Sequence, residues 1–101
     1  MDRKELEEER GRLNWSELER HFARGVVVVV DPQLDLLVVA EAMARDDRET
    51  FSDWMARGLV QQAQDTDARR WASASQTLEA IVVAPWVLVS ETPDVSLIPH
   101  S

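Results

Sequence analysis

Asp31 and Asp35 are the residues whose type and place could most readily do chemistry. They follow residues 26–30, five consecutive valines, and Asp46 and Asp47 come soon after. Carboxylates just beyond a buried strand can hold a divalent ion such as Mg²⁺ or exchange protons with a substrate. Each also has a plainer duty. Asp31 can cap with Pro32 at the first helical position, Asp35 can place charge at a helix N-terminus, and Asp46 or Asp47 can cap the next helix. Capping accounts for each residue separately. Asp31 and Asp35 therefore stand only as metal candidates, and no cofactor is expected.

The other reactive residue types form no familiar set. His21 has no cysteine near it, and the one other histidine is His100, so a histidine-rich metal site cannot form. As a general base His21 would need a partner such as Asp31 or Asp35. Ser52, Ser73, Ser75 and Ser90 lie in neither a G-x-S-x-G nor an S-x-x-K setting. The three glycines, at 11, 25 and 58, are too far apart to cradle a phosphate. No catalytic residue is assigned, and a non-enzymatic role is the expectation.

Four tryptophans remain. Trp15, Trp54 and Trp71 fall on apolar helix faces, where core packing explains them. Trp86 follows Pro85 at a break in an apolar run, which could aim it outward. With Val87, Val89 and Val28 it makes a set of interface candidates. Residues 26–30 and 81–89 are apolar on both faces, and 36–44 is apolar nearly all round. A chain of 101 residues struggles to cover three such elements, so the excess is expected to hide against a second copy or another cytosolic protein.

Charge narrows the partners. The net charge of −8 is spread along the chain, with seven acids against three bases in residues 25–57. Such a field repels nucleic acid and anionic lipid. Arg57, Arg69 and Arg70 are the only seed of a basic face. The first residues are charged throughout, unlike a signal peptide, and no apolar run reaches the eighteen or so residues of a membrane span. These features, with the absence of cysteine, point to the cytoplasm.

The elements that must position these residues follow from pattern. Residues 2–12 read as a solvated helix, and Asn14 caps a helix over 15–24 bearing Trp15, Leu18 and Phe22. Residues 26–30 read as a strand, then helices over 34–44 and 47–57, the latter with an apolar face of Phe51, Trp54 and Met55. A short strand over 59–63, a helix over about 66–75 and a strand over 78–89 follow, with Pro85 marking a bulge, an edge or a bend. The expectation is an α+β fold, a three-stranded sheet with four to five helices in a loosely winged-helix-like order. The rival is a βααβαβ arrangement with parallel crossovers. Residues 13–90 form the single domain, 1–12 a solvated N-terminus and 91–101 a mobile tail.

Several segments also carry a resemblance. Trp15-Ser16-Glu17-Leu18, His21-Phe22-Ala23-Arg24-Gly25, Asp31-Pro32-Gln33-Leu34-Asp35-Leu36 and Val82-Val83-Ala84-Pro85-Trp86-Val87-Leu88-Val89 resemble the DUF2288 family of short bacterial proteins. Asp46-Asp47, Trp54, Gly58 and Trp71 add to the match. The resemblance implies a compact bacterial domain and brings no activity. The expected role is a protein-interaction or self-association module. The alternatives are a small-molecule or divalent-metal site on Asp31 and Asp35, and a winged-helix-like DNA binder opposed by the net charge.

Overall fold

Two strands that are apolar on both faces, Val27–Val30 and Trp86–Ser90, pair in parallel inside a five-stranded sheet. The computed structural model describes residues 3–74 and 77–91. The chain runs α1 (Arg3–Glu8), β1 (Arg10–Asn14), α2 (Trp15–Ala23), β2 (Val27–Val30), α3 (Leu36–Ala44), α4 (Arg48–Ala56), β3 (Val60–Gln62), α5 (Asp65–Ala74), β4 (Thr77–Val83) and β5 (Trp86–Ser90). The strand order is β1-β4-β5-β2-β3, and every neighbouring pair except β2 with β5 is antiparallel.

The period of two along each strand divides the core into two halves. Val28, Val30, Ile81, Val83 and Leu88 face one side, where Leu6 of α1, Leu36, Leu37, Val39 and Ala40 of α3, and Phe51 and Trp54 of α4 cover them. Val27, Val87, Val89, Leu78 and Ala80 face the other, under Leu18 of α2 and Trp71 of α5. The product is a mixed α+β domain with helices on both faces of one sheet. α3, with α1 and α4, covers one face of these apolar strands and α2 and α5 the other, so their composition does not by itself require a second copy.

Local chemistry sets the helix ends. Asn14 accepts from the Glu17 N–H while Glu17 reaches back to the Asn14 N–H, a reciprocal cap on α2. α2, α3 and α4 all finish in the same way. The second residue past the C-cap donates five residues back, as in Val26 to His21, Asp47 to Ala42 and Leu59 to Trp54. The residue between must take a positive φ. Gly25 and Gly58 do so without cost, and Asp46 does so at φ 55°.

The sheet departs from the expectation in three places. It has five strands instead of three and lies between helix layers, which a winged-helix arrangement lacks. Pro85 does not bulge one strand over 78–89. It sits in the turn of a β4–β5 hairpin, and the Ala84–Pro85 peptide is cis. The solvated helix expected over residues 2–12 is helical only over Arg3–Glu8; residues 10–14 then pair with β4, and Arg10 joins Glu79 at 2.6 Å. The βααβαβ rival also gives way, because β3 runs antiparallel to β2. The tail expectation for residues 92–101, and those touching residues 1–2 and 75–76, lie outside the described residues.

Leu6 has no exposure at all and belongs to the core beneath α3. Leu6→Ala should lower the unfolding free energy by about 2–5 kcal/mol in urea titration. A loss below about 1 kcal/mol would mean that α1 does not pack as described.

Candidate binding cleft

The structure gives the candidate carboxylates structural duties. Asp35 is the N-cap of α3, and its Oδ1 accepts from the Leu37 N–H at 2.9 Å. Asp31 closes a turn: its Oδ1 accepts from the Gln33 N–H at 2.8 Å, and its own N–H donates to the Leu59 carbonyl. Asp47 caps α4, accepting from the Thr50 N–H at 3.2 Å and the Thr50 hydroxyl at 2.9 Å. The Thr50 hydroxyl, then the Thr50 N–H, and then Arg45 hold the Asp47 carboxyl below its ordinary value of 3.8. Among the described residues no three His, Cys, Asp or Glu side chains come together as a metal site. His21 is half-buried on α2, where its backbone carbonyl accepts from Arg24 and Val26.

The seed of a basic face is largely neutralised. Arg57 pairs with Asp53 along α4, and Arg70 pairs with both Asp67 and Glu91. The hydrogen bond to Glu91, and then that to Asp67, hold the Arg70 guanidinium above its ordinary value. Glu91 also accepts from the indole N–H of Trp71 at 2.7 Å, so one carboxylate past the end of β5 ties α5 to the sheet. A hollow of about 200 Å³ lies here, beside Asp31, Asp67, Arg70 and Glu91. Trp71 itself is fully buried and packs against Trp15 at 6.4 Å.

A larger apolar cleft of about 790 Å³ opens at the other end of β5. Val28, Val60, Val83 and Trp86 form its floor, from four adjacent strands. Met43 and Ala44 at the end of α3 and Phe51, Ser52 and Met55 of α4 form the walls. Its origin lies in how the helices divide the sheet. α3 packs over β4 and β5 while α4 packs over β3, and the turn at Asp46 separates them. The rim carries Asp46, Asp47 and Arg48, with Gln61 and Gln62 along the β3 side and Ala84-Pro85 at the hairpin.

The sequence candidates fare differently here. Trp86 is exposed at 39% on the cleft, as its place after Pro85 suggested. Val87 and Val89 are buried on the opposite face against α2 and α5, and Val28 is buried at the cleft floor. α2 and α5 cover Val87 and Val89, which are corrected as interface candidates, whereas Val28 lines the cleft beside Trp86. Met43, Phe51 and Met55 are the cleft residues that sequence reasoning did not assign to a site. Phe51 and Met55 lie four apart on α4, and Met55 is left 57% exposed while Trp54 packs edge-on to Phe51 in the core. That imbalance is the signal that α4 does not lie flat on the sheet.

Two stability measurements test these assignments. Glu91→Ala leaves the buried Trp71 N–H without an acceptor and should cost about 1–3 kcal/mol, whereas Glu91→Gln retains an acceptor and should cost less. Asp47 is protonated more easily in the unfolded chain than in the folded one, so its contribution is present above the ordinary value and is lost as pH falls through the lowered one. Asp47→Asn keeps an acceptor for Thr50 and does not titrate. The wild-type melting temperature should therefore fall relative to Asp47→Asn only below about pH 4, and a parallel decline throughout would contradict the Thr50 contact.

No helix among the described residues is long and apolar enough to cross a membrane. No curated protein matches the sequence. The chain is similar to the protein in the NMR solution structure of PA1075 from Pseudomonas aeruginosa, at 40% identity and a TM-score of 0.80, over 88% of this chain and 82% of that one. Residues 2–91 match the family described as Protein of unknown function (DUF2288). The chain thus belongs to the DUF2288 family, as its Trp15, Asp31-Pro32 and Pro85-Trp86 segments suggested.

Proposed function

We propose that the protein is a non-enzymatic binding module whose receptor is the cleft between α4 and the sheet, and that it takes a small apolar guest there. The observation that carries this reading is the cleft itself. A concave space of about 790 Å³, walled by Met43, Phe51 and Met55 and floored by three valines and Trp86, has the size and lining of a ligand site. The methionines can adapt their shape to a guest. The small-molecule alternative thereby moves away from Asp31 and Asp35, which are not part of the lining.

A second reading rests on exposure at the lips. Met55 and Trp86 stand well out of the core, and residues of these types anchor protein interfaces. Under that reading the cleft docks another cytosolic protein or a second copy of this chain. The charge of −8 disfavours the second copy and nucleic acid alike.

Titration with the neutral dye N-phenyl-1-naphthylamine separates the readings. The dye should brighten on binding, and Met55→Gln and Trp86→Gln should each weaken its affinity by about fivefold through lost apolar contact. Light scattering on the same samples should give the mass of one chain. A dimer that Met55→Gln dissociates would favour docking between copies. No brightening, with a mass of one chain, would contradict the ligand reading.

A further inference from the structure

We infer that the guest of this cleft is an uncharged apolar molecule, an inference that rests on the cleft being the receptor. The charged groups at the rim are already matched. Asp46 pairs with Arg48 at 3.4 Å, and Asp47 pairs with Arg45 at 3.4 Å while also accepting two hydrogen bonds from Thr50. Counting Arg45, which lies outside the lining, the two acids and two bases sum to zero; the lining residues alone carry one net negative charge. An ionised guest would find no free counter-charge, and its head group would lose water against Met43, Phe51, Val60 and Val83.

Complementarity therefore selects neutrality, and the field of the whole chain at −8 adds a bias against anions. Fatty-acid carboxylates, sulfonates and phosphate esters are disfavoured on both counts. One polar side chain remains to orient a neutral guest. Ser52 of α4 lines the cleft, and its side chain makes no hydrogen bond to another described residue. A hydroxyl or carbonyl on an otherwise apolar molecule could meet it.

A matched pair of dyes tests this. N-phenyl-1-naphthylamine and 8-anilino-1-naphthalenesulfonate share one ring system and differ by a sulfonate. The neutral dye should bind at least about tenfold more tightly to the wild-type protein. Asp46→Asn, at a position whose positive φ suits asparagine, frees Arg48 of its counter-ion. That variant should gain roughly threefold or more for the sulfonate relative to the neutral dye. Equal binding of the two dyes by the wild type, or no gain in Asp46→Asn, would overturn the inference while leaving the cleft as receptor. Failure of both dyes to bind would remove the cleft reading and this inference together.

Discussion

Burying β2 and β5 on both faces is the constraint from which the rest of the architecture follows. Val27 and Val28 point to opposite sides, as do Leu88 and Val89, and each side must be covered. α1, α3 and α4 supply one cover and α2 and α5 the other. The parallel pairing of β2 with β5 sets the connection between them, since a parallel partner cannot be reached by a tight hairpin. The chain passes through α3, α4, β3, α5 and β4 before it returns as β5. Both covering layers are thus built from the path that joins the two strands, with α1 and α2 added from the N-terminal side.

The same constraint explains the cleft. One face of the sheet is shared between α3 and α4, and the two helices cover different strands. Asp46 reverses the chain between them in a positive-φ conformation, and Asp47 caps the new helix. Chain reversal and cap formation engage two carboxylates that sequence position alone marks as reactive. What remains between the helices and the hairpin turn is apolar floor, bordered by charges that satisfy one another. A surface of this kind favours binding by shape and dehydration over polar recognition.

How much of this was legible in the sequence depended on whether the signal was local. The valine run, the cap at Asn14, and Gly58 past α4 fixed their elements because propensity and capping act within a few residues. β1 was missed because Arg10-Gly11-Arg12 has no strand pattern; pairing with β4 and the Arg10–Glu79 contact make it a strand. Pro85 read as a flaw in one strand because a hairpin turn and a bend look alike without partner strands. The apolar faces of 26–30 and 81–89 suggested a dimer; within one chain, α1, α3 and α4 cover one face of these strands and α2 and α5 the other. The cleft assembles residues from six elements between Val28 and Trp86, and Val28 and Trp86 were its lining residues marked beforehand as candidate interface contacts.

The central claim is that the receptor lies between α4 and the β4–β5 hairpin. Heteronuclear NMR of the full chain, with methionine methyls and tryptophan indoles observed during addition of N-phenyl-1-naphthylamine, tests it most directly. The account predicts shifts at the Trp86 indole and the Met43 and Met55 methyls, with the Trp71 indole bound to Glu91 unchanged. Shifts centred on Trp71 and Asp31, or spread evenly over all four indoles, would contradict it.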